Sequence, residues 1–308
     1  MRNRIVQALF TFKESDLFWS FRHSPVAIIA LIVTVLLMAC ALFAQSVAPF
    51  NPYDLAGLDL MSAHLPPSWS DGGDSRYWLG TDDQGRDLFS TMLYGLRLSL
   101  KIGLISVVLS LLLGVCLGLI SGFVGGRLDA FIMRVCDVML SFPAILIALL
   151  IDGIARASLS QQMHDELAEP VLILAITLSG WVQYARTVRG QTLVEKQKDY
   201  VSAAKLIGAG TCRILFKHLM PNVMSTVLVL ATVHVGTAVI TEATLSFLGV
   251  GVPPTTPSLG TLIRVGNEFL FSGEWWITIF PGLALVALVL SVNLLGDWLR
   301  DALNPKLR

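Results

Sequence analysis

The chain has 308 residues, 54% of them hydrophobic and 14% charged, with a formal net charge of zero and a mean hydropathy of +0.70. That balance lies outside the usage of a soluble domain and makes the chain an integral membrane protein. Net neutrality argues against a nucleic-acid partner, although the total hides an uneven distribution of Lys and Arg.

Residues 1–25 are too polar for a signal peptide and read as a cytoplasmic amphipathic segment. Crossing the hydrocarbon core takes about 20 apolar residues, and six runs approach that length, at 26–48, 99–121, 130–152, 170–188, 223–247 and 276–298. The fold class is therefore an all-α membrane protein with six transmembrane helices. After the first span comes a long polar loop, 49–98, with Pro66-Pro67, Gly72-Gly73 and several Asp; a core at 99–300 and a tail at 301–308 follow. With the N-terminus inside, sixteen Lys and Arg fall on the cytoplasmic side and five outside, with Lys101 at a span end. The positive-inside rule thus places both termini in the cytoplasm. Trp275, Trp276 and Trp298 flank the last span, where indole rings prefer the headgroup region.

Gly114, Gly118, Gly122 and Gly126 recur every four residues along the second span, a stripe that lets another backbone approach closely. It reads as a packing seam, with a mobile or pore-facing seam as the alternative. Cys40, Cys116, Cys136 and Cys212 have neither ligand spacing nor an oxidising context and read as free packing residues.

Chemistry within the chain is poorly supported. There is no Gly-Lys dipeptide to complete a phosphate-cradling loop, no G-x-S-x-G and no H-E-x-x-H, and the five His are scattered. A proton-coupled or sodium-coupled carrier places ionisable groups within its spans. The candidates are Asp137, Asp152, His234 and Glu242, of which only His234 lies at mid-depth.

His234, Thr237, Thr241 and Thr244 form a mildly polar stripe along the fifth span. Either the stripe faces a translocation path, or its hydroxyls bond back to the preceding turn. Glu242, nearer the outer end, either contacts substrate or a partner or pairs with a neighbouring helix.

The cytoplasmic segment 189–222 is richer. Asp199 is expected to cap a short helix with Tyr200, Ala203, Ala204 and Ile207 on its apolar face. Gly208 and Gly210 break it, Thr211 caps a second helix, and Pro221 marks entry to the fifth span. Small residues suit a helix seated in a partner's groove; an amphipathic helix lying on lipid is the alternative.

Ser202-Ala203-Ala204, Gly208 four places on and Pro221 thirteen further resemble the cytoplasmic EAA loop of bacterial ABC-importer permeases, with Ser202 in place of the Glu, His218 of an Ile and Met220 of a Leu. Three further stretches resemble the dipeptide, oligopeptide and nickel subfamily, and within it the C-type subunit. The first is Leu79-Gly80-Thr81-Asp82 with Gly85-Arg86-Asp87 and Tyr94-Gly95-x-Arg97-x-Ser99-Leu100. The others are Glu242 with Leu245-Ser246-Phe247-Leu248-Gly249-x-Gly251, and Asn293-x-x-Gly296-Asp297-x-x-Arg300-Asp301-Ala302-Leu303-x-Pro305. Trp298 stands where a Gly is usual and Asn304 where an Asp is usual.

The resemblance implies a type I ABC-importer permease fold in the bacterial cytoplasmic (inner) membrane. It also implies a paralogous permease subunit, two ABC ATPase subunits that bind ATP and Mg, and a periplasmic substrate-binding protein; this chain would hold no cofactor or metal and would not be an enzyme. Ser202, Ala203, Ala204, Gly208, Pro221 and Asn222 would form the ATPase-coupling loop. Gly80, Thr81, Asp82, Gly85, Arg86 and Asp87 would touch the binding protein or support an outer gate, or simply shape a turn. Peptides are the expected cargo, with nothing in the residues to separate di- from oligopeptide, nickel chelate, glutathione or opine. A stand-alone carrier or channel, and a membrane scaffold without transport, are the rival classes.

Overall fold

The computed structural model describes residues 16–54, 59–256 and 258–302. The far N-terminal segment and the end of the C-terminal motif, with Asn304 and Pro305, lie outside the described residues. Eleven helices follow in order: α1 Asp16–Arg22, α2 Pro25–Leu42, α3 Ala44–Val47, α4 Leu88–Val124, α5 Gly126–Ser141, α6 Ala144–Ser158, α7 Gln161–Glu195, α8 Asp199–Leu206, α9 Thr211–Phe247, α10 Leu259–Phe269 and α11 Trp276–Ala302. Among the described residues the only β pairing is one isolated bridge between Thr81 and Asp87.

Five helices, α2, α4, α7, α9 and α11, are long and apolar enough to cross a membrane. The third predicted span, 130–152, is not one helix: α5 and α6 meet at a bend of 91°. The reason is Pro143, which pushes Phe142 into extended backbone (φ −106°, ψ 135°) and ends α5. Hydropathy runs on through this point, so composition alone joins the two pieces.

The packing shows that the bent pair still carries the chain across. Ser106 Oγ donates to the Ile173 carbonyl and Ser110 Oγ to that of Thr177, both 67 residues on. A Cβ on Gly114 would come within 2.4 Å of the Trp181 carbonyl, and one on Gly118 within 2.6 Å of that of Ala185. These contacts advance together along both helices, so α4 and α7 run parallel, and the chain must return between them. The glycine stripe is thus the seam of a parallel pair, as the packing reading expects. Gly126 is not part of it: α4 ends at Gly125 (φ 71°), and a Cβ on Gly126 would meet nothing within 4 Å.

α4 has 37 residues, about 55 Å at 1.5 Å per residue, and so begins well outside a core of about 30 Å. The predicted loop 49–98 therefore loses its last eleven residues to helix, with Asp87 as the cap: its carboxylate accepts from Ser90 N at 2.8 Å and Ser90 Oγ at 2.5 Å. α9 packs antiparallel to both α4 and α7, and α11 antiparallel to α9 with Gly236 against Asn293. The Phe21 and Trp298 rings meet edge to face at 5.1 Å, so the start of the first span and the end of the last lie on one side.

Candidate functional site

The loop between α7 and α9 is a compact hairpin. Its short helix α8 is capped by Lys198, with Asp199 already in the first turn, and α9 by Gly210 rather than Thr211. α8 ends in a Schellman motif: Gly208 takes φ 78°, its N–H bonds Lys205 O at 3.0 Å, and Ala209 N bonds Ala204 O at 3.0 Å. Pro221 does not open a new helix. It lies within α9 just after a π-helical stretch, Ile214–Leu219, where the ladder shifts beside a residue without an N–H.

The face that α8 buries differs from the expected one. Val201 and Ala204 sink into a cluster with Ile214, Leu215, Leu219, Tyr184 and Val188 of this same chain. Ala204 therefore lets α8 lie flush on its own hairpin instead of facing outward. Ser202, Ala203, Gly208, Pro221 and Asn222 stay exposed, and Leu206 and Ile207 at the tip are 89% and 85% exposed.

Polar side chains lock this hairpin. Tyr200 OH donates to Glu195 at 2.8 Å, Asn222 Nδ2 donates to Tyr200 OH at 3.1 Å and to His218 O at 2.7 Å, and Lys198 reaches Glu195 at 2.6 Å. Burial, then the bond to Glu195, holds the Tyr200 phenol above its ordinary range. On the other side Arg189 pairs with Asp129, which also accepts from Ser121 Oγ at 2.5 Å, and Lys196 Nζ donates to Gly122 O at 2.7 Å. In the sequence Arg189 and Lys196 serve only as topological markers, because their partners lie 60 and 74 residues away on the α4–α5 corner.

The predicted polar stripe separates by burial, with His234 buried, Thr237 exposed and Thr241 and Thr244 half-buried. Buried His234 shares a hydrogen bond with Tyr184 OH at 2.9 Å and packs on Gly180, where a Cβ would come within 2.4 Å of the imidazole. Thr237, Thr241 and Thr244 donate back to the carbonyls of Val233, Thr237 and Ile240 at 3.3, 2.9 and 2.8 Å. These are the back-bonds of the second reading.

Glu242 neither snorkels nor meets solvent. It is fully buried, accepts from Ser246 Oγ at 2.7 Å, and has the hydroxyls of Ser99 and Ser258 beside it. Ser258 also caps α10, so this carboxylate gathers α4, α9 and α10 at one point. The glycines downstream have local reasons. Gly249 (φ 81°) closes a second Schellman motif, with Val250 N bonding Leu245 O at 2.9 Å, and a Cβ on Gly251 would strike Ser246 Oγ.

The outer motif is a buried clasp. Thr81 accepts from Leu65 N at 2.8 Å and donates to Ser62 O at 2.6 Å, while its carbonyl accepts from Trp276 Nε1 at 3.2 Å. Trp276 is thus buried against the loop. Asp82 accepts from Arg86 N at 2.9 Å and Nε at 2.6 Å, and Arg86 reaches Pro254 O at 3.2 Å. Gly80 (φ 86°) and Gly85 (φ 74°) make the turns, and a Cβ on either would collide with a backbone carbonyl of this loop. Gly80, Thr81, Asp82, Gly85, Arg86 and Asp87 come together as the loop's core.

Residues 114–308 match the family model described as binding-protein-dependent transport system inner membrane component, and residues 15–67 that of the N-terminal TM domain of oligopeptide transport permease C. The chain is 41% identical to the dipeptide transport system permease protein DppC of Escherichia coli K12, covering 99% of this chain and 98% of the relative. It is 41% identical to the di/tripeptide permease protein DppC of Pseudomonas aeruginosa, covering 94% and 92%, and 40% identical to the oligopeptide permease protein OppC of Bacillus subtilis, covering 95% and 90%. Among solved structures, an inward-facing MetNI methionine ABC transporter chain shares the fold, with a TM-score of 0.55 and 19% identity over 70% of this chain and 97% of that one. With a family match over most of its length and such identity to transport permeases, the chain belongs to the family of binding-protein-dependent transport system inner membrane components.

Proposed function

We propose that the chain forms half of the translocation pathway of an ABC importer for short peptides in the bacterial cytoplasmic membrane. A related permease forms the other half, two ATPase subunits that bind ATP and Mg dock below, and a periplasmic binding protein delivers cargo above. The peptide assignment draws on relatives named for dipeptides, di/tripeptides and oligopeptides that match this chain over nearly their full length. The excess of Lys and Arg on the hairpin side supports a cytoplasmic hairpin.

The observation that carries the docking role is the hairpin tip. Leu206 and Ile207 stand almost fully exposed on a helix whose other face is fixed in this chain's core. Burying each in a partner's groove contributes roughly 1.5–3 kcal/mol. Ser202 and Ala203 beside them let the surfaces close. ATP-driven closure of the ATPases would then move the hairpin as a solid lever, and two conformations of the spans would be stabilised in turn. The chemical step belongs to the partners.

The test is co-purification with the ATPases and permease encoded beside this chain, together with ATP-dependent uptake of a dipeptide. Leu206→Asp with Ile207→Asp should abolish ATPase capture while the chain still inserts. Unchanged capture would remove the docking assignment. Uptake that survives ATP depletion and stops when the proton gradient collapses would make the chain a carrier instead.

A further inference from the structure

Two cavities at the outer ends of α4 and α7 adjoin each other, sharing Tyr53 and Leu98 in their walls. One, of about 330 Å³, is lined by Arg97 and Lys101; the other, of about 340 Å³, by Asp165, Glu166 and Glu169. Each lobe thus carries one sign of charge, and the shared waist is a phenol ring and a leucine.

Two of these charges lack partners, whereas Asp165 accepts from Gln161 Nε2 at 3.2 Å. Neither Arg97 nor Glu166 has a hydrogen bond or ion pair among the described residues. On the acidic side, buried His164 bonds Asp152 through Nε2 at 3.0 Å, but its Nδ1 has no hydrogen-bond partner and stands 3.8 Å from Asp165. Only Lys101 and Glu169 are paired across the waist, at 2.7 Å.

We propose that this two-lobed cavity is an outer selection site for short zwitterionic peptides, with Arg97 and Lys101 taking the terminal carboxylate and Asp165 and Glu166 the terminal ammonium. A ligand carrying one charge of each sign can enter between Lys101 and Glu169 and offer each a replacement partner, and Arg97, Lys101, Asp165 and Glu166 are all exposed and open to it. A free amino acid is too short, because both its charges sit on one carbon. An extended dipeptide spans about 7 Å, at roughly 3.5 Å per residue, and puts its termini in different lobes. Arg97 belongs to the second half of the outer sequence motif, the part that the buried clasp leaves unexplained.

This inference rests on the peptide-import reading, and its test separates the two. The assembled permease–ATPase complex carrying Leu98→Cys is labelled from outside with a charged methanethiosulfonate, and modification of this chain is read by mass spectrometry. Thr256→Cys, on the exposed rim of the acidic lobe, is a second reporter should Leu98→Cys fail to assemble. Alanyl-alanine should protect the introduced thiol, while N-acetyl-alanyl-alanine and alanyl-alanine amide should not. Adding Arg97→Gln or Glu166→Gln should raise the protecting concentration about tenfold. Equal protection by all three peptides, or none, in preparations that import alanyl-alanine once the binding protein is added, overturns the site and leaves the importer reading standing. Failure to import any peptide overturns both.

Discussion

Arg189, near the end of α7, grips both carboxylate oxygens of Asp129 at the start of α5, at 3.0 and 2.6 Å. The pair joins the helix that enters the α7–α9 hairpin to the corner at which α4 turns back. A push on the hairpin is thereby delivered to two helices together.

Arg189→Ala should therefore separate docking from transport. Because the pair is partly solvated, its contribution to overall stability is small, about 1 kcal/mol or less. ATPase capture should persist, whereas dipeptide uptake should fall about fivefold, as expected when a link worth about 1 kcal/mol of coupling is cut. Equal losses of capture and uptake would mean that the pair merely holds the hairpin together.

Gly208 is set by backbone geometry. Its φ of 78° lies in the left-handed region, and a Cβ there would meet nothing within 4 Å, so substitution tests conformation rather than space within this chain. Gly208→Asn, which tolerates that region, should retain most ATPase capture. Gly208→Val should weaken it by about tenfold, reflecting a conformational cost of about 1–2 kcal/mol. An equal effect of both variants would point to a steric contact with the partner instead.

Asp83 makes the outer clasp sensitive to pH. Burial first, then the charge of Asp82, holds its carboxyl above the ordinary range, and Oδ1 has no hydrogen-bond partner. A folded-state pKa above the unfolded value of about 3.9 means that the stability contribution is complete below the unfolded value and is lost as pH rises through the folded pKa. Asp83→Asn should melt at a higher temperature than the unmodified protein at neutral pH, with the gap closing as the pH approaches about 4. Detergent-solubilised protein followed by thermal unfolding would show it, and a constant gap across that range would refute the assignment.

Much of the architecture could be read from residue order alone, because hydrophobic length and glycine spacing are local properties. The seam of Gly114, Gly118 and Gly122 is the clearest case. What escaped depends on contacts between distant segments. The break at Pro143 falls in a run whose hydropathy does not change, and Ala204 faces inward because the hairpin folds onto Leu215 and Leu219. The serines around Glu242 come from three separate stretches of chain, and no spacing rule links Ser99, Ser246 and Ser258. In the outer motif the residues stood out, but their role as a clasp needed Trp276 and Pro254 beside them.

The parallel register of α4 and α7 limits how the molecule can move. Ser106 and Ser110 meet carbonyls at the same offset of 67 residues, and the glycine contacts continue that offset toward the hairpin end. Sliding one helix along the other would break every rung at once, so the two travel as a single girder. Whatever opens and shuts the pathway must flex beside that girder, at the elbow between α5 and α6, while the hairpin that grips its foot carries the push.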